Sequence, residues 1–254
     1  MKETIYKIID VFTGGTGLSK RIHGIKVKLP TRYINYFPSD YEKENFDFLK
    51  KHVNEGDIVL DIGAHIGLFS VIASRLTGPT GKVFAFEPSG VTHSLLNKTI
   101  SINGISNIIS VNAAVGAAPG EITFYVSPVK GDNSNSLVSY KTDRELIPEI
   151  VKLYSVDAFV EEKGLKEIRF MKIDVEGAEY DALRGAERTL REIKPVCTLG
   201  IHPEAVQAKG DRLGDIYDFV QSCGYILIND NRKIDRDEFI AETGLVDFHM
   251  VPHD

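Results

Sequence analysis

The sequence predicts an α/β fold, a mostly parallel sheet with helices on both faces, and three observations carry that expectation. Apolar runs of strand length alternate with segments of helical length and amphipathic spacing. The first clear run opens straight into a glycine-punctuated turn in VLDIGAHIG, Val59 to Gly67. Two late apolar runs lie close enough in sequence to pair antiparallel at one sheet edge.

Taken in order, five runs read as the parallel strands: DIVLDIG from Asp57, KVFAFEP from Lys82, NIISVNA from Asn107, IRFMKID from Ile168 and PVCTLGI from Pro195. Between them GLFSVIASRL from Gly67, VTHSLLNKTISIN from Val91 and AEYDALRGAERTLREI from Ala178 carry apolar residues at helical spacing and read as crossover helices. YILIND from Tyr225 and LVDFHMVP from Leu245 complete seven strands. One segment breaks the rhythm. Ile122 to Ile150 starts as a strand and turns polar and loop-like, too long for an ordinary connection and suited to a substrate-side insertion. The part before Lys51 holds short apolar runs, a Gly14-Gly15 turn and the aromatic cluster YINYFPSDYE, with no Pro-rich or Ser-rich linker behind it. It reads as an annex or lid, residues 1–51, on one main domain, residues 52–254.

A chain of 254 residues with 43% hydrophobic residues can build a sizeable core. Its net charge of -6 supplies no basic field for a phosphate backbone, so nucleic acid is not the expected partner. Cys197 and Cys223 lie far apart without metal-ligand spacing, and they read as reduced core residues. No apolar run approaches the ~20 residues that cross a bilayer, and MKETIYKIID lacks the pattern of a secretory signal. The expected location is the cytoplasm.

In the opening motif, Gly63 and Gly67 follow a strand and precede a helix, where the backbone can turn tightly and approach a ligand. A dinucleotide fingerprint requires G-x-G-x-x-G, and GAHIG lacks the second and third glycines at those offsets. Glu87 ends the next strand, where a carboxylate can accept both hydroxyls of a ribose. Together with Asp61 it points to a nucleoside ligand without naming it.

The blocks VLDIGAHIG, FAFEP, VNAAVG and above all MKIDVEGAE resemble the successive motifs of the FkbM-type S-adenosylmethionine-dependent methyltransferases, over most of the chain from about Tyr33 to Glu204. The resemblance implies a Rossmann-like, seven-stranded class I methyltransferase sheet, mostly parallel with one antiparallel strand. It implies S-adenosyl-L-methionine as cofactor, with Asp61, Gly63, His65 and Gly67 in the glycine loop, Glu87 on the ribose, and Asn112 with Ala113 beside the adenine. His65 stands where the family usually has asparagine. Imidazole can still donate one hydrogen bond there, with a pH-sensitive contact.

A methyl donor over the sheet would face the loops after the fourth and fifth strands, which supply Asp174, Glu176, Glu179, His202 and Glu204. Transfer to a hydroxyl needs an in-line acceptor and a base. His202 is the first candidate for the base, with Asp174 or Glu176 orienting imidazole or substrate. The same three residues admit a divalent metal, a reading not favoured over direct base catalysis. Glu179 reads as a structural charge in the first helical turn, and Lys172 as a lysine paired with a carboxylate or lining the cofactor floor. Tyr33, Tyr36, Phe37 and Tyr41 serve as packing or as a lid that stacks on a sugar face, with Asp40 and Glu42 as hydroxyl acceptors. The polar loop Asp132 to Ser136 offers further contacts. The expected activity is O-methylation of a small molecule, a sugar, glycan or polyketide-type product. An NAD-dependent or nucleotide-sugar oxidoreductase, a noncatalytic nucleoside-binding module and an RNA methyltransferase are the alternatives, the last opposed by the absence of a basic stripe.

Overall fold

The computed structural model describes Tyr6, residues 11–127 and residues 146–253. The polar loop Asp132 to Ser136 lies outside the described residues. A hairpin of β1 (Leu18–Ile22) and β2 (Ile25–Leu29) opens this part of the chain and leads through a 3-10 turn to helix α1 (Lys43–His52). The doubly covered unit follows as β3 (Ile58–Ile62), α2 (Leu68–Thr77), β4 (Lys82–Phe86), α3 (Gly90–Ile102) and β5 (Ile108–Val111). Next come the short β6 (Ala114–Val115), β7 (Gly120–Val126), β8 (Ile147–Tyr154), α4 (Val156–Lys163) and β9 (Phe170–Ile173). The remainder runs α5 (Glu179–Arg184), α6 (Glu187–Glu192), β10 (Val196–Ile201), α7 (Pro203–Lys209), α8 (Leu213–Ser222), β11 (Tyr225–Asn229), β12 (Arg232–Lys233), α9 (Arg236–Ile240) and β13 (Val246–Pro252).

All seven expected strands form and share one sheet, ordered β12-β11-β13-β10-β9-β3-β4-β5. The β10, β9, β3, β4 and β5 neighbours are parallel, while β13 runs antiparallel between β10 and β11. The two-residue β12 adds an eighth strand that the sequence reading omitted. Because β3 lies between β9 and β4, the chain order changes direction beside it, and the loops at that carboxyl edge diverge to leave a crevice.

The period of two along each strand divides the core between the faces. Leu60, Ile62, Phe84, Phe86, Met171 and Ile173 pack with α4 through α8 on one face. Val59, Val83, Ala85 and Phe170 pack with α2 and with Ile22, Leu29, Phe37, Phe46 and Leu49 of the N-terminal part on the other. Asp61 and Lys172, adjacent in the β3–β9 register, fall on this second face. Their alternation, rather than any local signal, sends two ionisable side chains under the N-terminal segment. Cys197 and Cys223 are buried free thiols.

Two readings of the sequence need correction. The segment Ile122 to Ile150 starts as a strand, as read, but its far end is a strand as well, and residues 128–145 between them, where the substrate-side insertion was expected, lie outside the described residues. Its ends, β7 and β8, pair antiparallel, and β8 pairs with β6 to complete a separate three-stranded sheet. The run from Ala178 to Ile193 forms two short helices, not one crossover helix. Gly185 separates them, and a Cβ there would stand 2.0 Å from the Gly116 carbonyl oxygen. That approach ties the end of α5 to the loop after β6, where only glycine fits. Among the described residues, no helix is long and apolar enough to cross a membrane.

Candidate active site

The crevice at the carboxyl edge is built first from backbone. Gly63 and Ala64 each donate an N–H to the Phe86 carbonyl, at 3.1 and 2.9 Å, and so lock the turn after β3 to the end of β4. Gly63 has φ 86°, and a Cβ on it would stand 1.8 Å from the Asp174 carbonyl oxygen. A side chain at that position is excluded by both conformation and space. The turn continues through His65, itself left-handed at φ 50°, whose N–H donates to Glu87 Oε2 at 3.1 Å. Ser89 N–H donates to the other oxygen, Oε1, at 3.0 Å. Glu87 is 5% exposed, and burial pushes its carboxyl up to about 8 against the pull of the two N–H donors.

Behind this cradle, Asn112 Nδ2 donates to the carbonyls of Glu87 and Pro88, 2.9 Å each, and fixes the end of β4. Asp61 is fully buried and accepts a hydrogen bond from Ser70 at the start of α2. Its second oxygen has no hydrogen-bond partner among the described residues, and burial raises its carboxyl.

The opposite wall follows β9 and β10. Lys172 Nζ lies 2.8 Å from Asp174 Oδ2 and 5.8 Å from the centre of the Phe69 ring. Burial works against its ammonium charge, but Asp174, Asp61 and Glu42 outweigh that and hold it above the usual lysine range. Burial likewise opposes the Asp174 carboxylate, and Lys172 with His202 holds it below the usual range. His202, at the end of β10, has Nδ1 2.8 Å from Glu179 Oε1 and Nε2 3.8 Å from Asp174 Oδ1. Burial disfavours the imidazolium, but the Glu179 hydrogen bond and the charges of Glu179, Asp174 and Glu176 raise His202 overall.

The N-terminal segment closes the cavity. Tyr36, Phe37, Tyr41, Glu42 and Phe46 line it opposite His65 and Asp174, with Leu245 from the loop before β13. The Phe37 ring meets those of Tyr36 and Tyr41 edge-on, with centroids 4.9 Å apart in both pairs, which sets this wall as one aromatic unit. Burial and the neighbouring Glu42 raise the Tyr41 phenol, so it stays protonated.

Of the residues the sequence singled out, Gly63, His65, Glu87, Ala113, Asp174, Glu176 and His202 line this one cavity. Asp61, Gly67 and Asn112 do not line it. They support the turn and strand ends from behind, because Asp61 points to Ser70, Asn112 to backbone carbonyls, and Gly67 caps α2 against Leu96. Glu179 is more than a helix-start charge, since it is fully buried against His202. Asp247 escaped the sequence reading altogether. It pairs across strands with Gly200, whose missing side chain leaves both Asp247 and Asp174 close by, and burial pushes its carboxyl to about 6. Among the described residues, no group of three or more His, Cys, Asp or Glu side chains could hold a metal ion.

The cavity's chemistry fits a nucleoside cofactor. A backbone that excludes a Cβ at Gly63 and a buried carboxylate held at a strand end by two N–H groups offer close approach and a diol acceptor. Comparison with known proteins agrees. Residues 61–227 match the family model described as Methyltransferase FkbM domain, more than half of the 254-residue chain. The chain is 26% identical over 168 residues to the hexuronic acid methyltransferase AglP of Haloferax volcanii, covering 65% of this chain and 66% of AglP. It is 27% identical over 157 residues to the methyltransferase sdnD of Sordaria araneosa, covering 51% of this chain and 60% of sdnD. The matches thus span less than two thirds of either relative's length. A solved structure of a putative rRNA-methylase from Clostridium thermocellum shares the fold, with a TM-score of 0.51 at 11% identity, over 83% of this chain and 94% of that one. The family match covers the glycine turn, the Glu87 strand end and the Asp174–His202 wall, and the chain belongs to the FkbM methyltransferase domain family.

Proposed function

We propose that the protein is a cytoplasmic S-adenosylmethionine-dependent O-methyltransferase that acts on a hydroxyl of a small molecule, a sugar or glycan or a polyketide-type product. The observation that carries this reading is the opening of the Gly63–Glu87 cradle and the His202–Asp174 wall into one cavity. S-adenosylmethionine, when bound, supplies an electrophilic methyl group. Glu87 would accept the ribose hydroxyls, the Gly63–His65 backbone would hold the methionine portion, and Ala113 would lie beside the adenine. Asp61, Gly67 and Asn112 would act one step removed, by keeping the turn and the strand end in place.

On the acceptor side, Tyr36 and Tyr41 offer aromatic faces and Glu42 a hydroxyl acceptor, a combination suited to a polyhydroxylated ring. The sugar substrate in the name of AglP supports the same class. The net charge of -6 favours a small acceptor over nucleic acid. His202 would take the proton of the attacking hydroxyl, while Lys172 holds Asp174 ionised beside it, and Glu176 flanks the same wall. No metal is required in this arrangement, because the base acts directly on the hydroxyl.

Transfer of labelled methyl groups to a panel of glycosides, uronates and polyketide alcohols tests the reading. Label should enter a hydroxyl of one of these classes. In His202→Ala, kcat should fall roughly 10²–10⁴-fold, with affinity for S-adenosylhomocysteine unchanged. Preferential labelling of RNA would overturn the acceptor class, and an unchanged kcat in folded, cofactor-saturated His202→Ala would move the base to Asp174 or Glu176.

A further inference from the structure

Glu179 has two features that a charge at a helix start does not need. It is fully buried, whereas a carboxylate that merely favours the first turn of a helix can do so from the surface. It also spends one oxygen, Oε1, on two groups at once: Gly177 N–H donates to it at 2.9 Å, and His202 Nδ1 lies 2.8 Å away. The second oxygen, Oε2, is buried without a hydrogen-bond partner among the described residues. Removing a carboxylate from water costs several kcal/mol unless strong partners compensate. Here the partner that compensates is the imidazole.

The geometry fixes the imidazole as well. An ionised carboxylate can only accept, so the Nδ1 facing Glu179 must carry a hydrogen. The second ring nitrogen, Nε2, then faces the cavity side, 3.8 Å from Asp174 Oδ1 and beyond direct hydrogen-bond distance. Gly177 supplies the stiffness. It has φ 101°, and a Cβ on it would stand 2.7 Å from the Ala205 Cβ, so this turn packs directly on α7, the helix that follows His202. The carboxylate, at the start of α5, and the imidazole, just before α7, are therefore held by segments that already touch.

We propose that Glu179 is a positioning residue: it holds His202 in the Nδ1–H tautomer and so presents Nε2 to the cavity as the proton acceptor. The tautomer follows from the 2.8 Å contact of Nδ1 with a carboxylate oxygen that accepts, and the role in proton transfer rests on the methyltransferase reading above. The charged groups that face His202 are Glu179 from α5, with Asp174 and Glu176 from the loop after β9. Lys172 is tied to Asp174. Glu179 Oε1 lies 2.8 Å from the ring's Nδ1, within hydrogen-bond distance.

Nitrogen-15 NMR of the full chain, with the His202 signals assigned by their loss in His202→Gln, reads the tautomer without any acceptor or cofactor. The expected result for neutral His202 is protonated Nδ1 and unprotonated Nε2. The Nε2–H tautomer would overturn the proposal, and that measurement needs no variant at Glu179. In Glu179→Gln, which keeps an oxygen for the Gly177 N–H, the His202 titration should move to lower pH, because the charge that stabilises the imidazolium is gone. Glu179→Asp should restore it in part. An unmoved titration in folded Glu179→Gln would overturn the proposal.

With an acceptor in hand, Glu179→Gln should lower kcat about tenfold or more in the parent and cause little further loss in His202→Ala, as expected of two residues that act as a unit. Equal losses in both backgrounds would assign Glu179 to folding alone. Absence of S-adenosylhomocysteine binding by the parent would instead reject the methyltransferase reading and leave the tautomer result intact.

Discussion

Replacing Glu87 with glutamine removes one charge from the cradle while keeping its size and one oxygen. The parent carboxylate receives Ser89 N–H on one oxygen and His65 N–H on the other, and both oxygens keep capacity for a ribose diol. Hydrogen bonds to a charged group contribute about 1.5–3 kcal/mol. At about 1.4 kcal/mol per factor of ten, the variant should bind a nucleoside roughly 10- to 150-fold more weakly. This full difference applies only where the parent is ionised. Burial pushes Glu87 up to about 8, so at pH 7 ionisation on binding costs the parent about 1.4 kcal/mol, a factor of about ten. The deficit of the variant should therefore be large near pH 9 and shrink by about tenfold at pH 7.

The assay is calorimetric titration with 5′-methylthioadenosine, which carries the ribose diol without the titrating amino-acid groups. Parent affinity should climb as pH rises towards about 8 and then level off, while Glu87→Gln stays flat. The empty protein should show the opposite trend in stability. A carboxyl group raised above its ordinary value favours the folded state at low pH, and that contribution is lost as pH rises through about 8. Empty Glu87→Gln should thus melt above the parent at alkaline pH. Equal nucleoside affinity of the two proteins near pH 9, or a pH-independent parent, would remove the Glu87 carboxylate from nucleoside binding.

Lys172→Met should cost about 3 kcal/mol, the lower end for breaking a buried ion pair, because Asp174 keeps 33% of its side chain exposed. Denaturant unfolding should place that loss at neutral and alkaline pH and recover part of it in acid, where the stranded Asp174 and Asp61 protonate. A variant as stable as the parent at neutral pH would contradict the pairing. Methyl transfer after exhaustive chelation should equal that after magnesium is restored, and dependence on the restored ion would replace direct base catalysis with a metal-assisted step.

The main sheet was legible in the sequence because strands covered on both faces read as nearly unbroken apolar runs, as in Val196–Ile201, buried at every position. The small sheet was not. Each residue of Ile147–Tyr154 is exposed or half-buried, and its partner Ala114–Val115 has only two residues, too few to show a period. The break between α5 and α6 was hidden because apolar spacing continues across Gly185, and only the distant Gly116 carbonyl demands a glycine there. In the site, the glycine turn and Glu87 were readable, since adjacent parallel strands end at one edge. The role of Glu179 was not, because an acidic residue in a first helical turn looks the same whether it faces water or an imidazole. Asp247 was hidden for a related reason: β13 meets β10 only through pairing with a strand far away in sequence. Alternation along β3 fixes the face of Asp61, and on that face its carboxylate meets Ser70 behind the turn, a contact between α2 and β3 that no local pattern displays.

The central claim is that the Gly63–Glu87 cradle takes S-adenosylmethionine and not a dinucleotide. Titrating the purified full chain in parallel with S-adenosylhomocysteine and with NAD tests it most directly. The expected result is saturable one-site binding of S-adenosylhomocysteine, weakened in Glu87→Gln, and no binding of NAD at the same concentrations. Saturable binding of NAD with none of S-adenosylhomocysteine would contradict it.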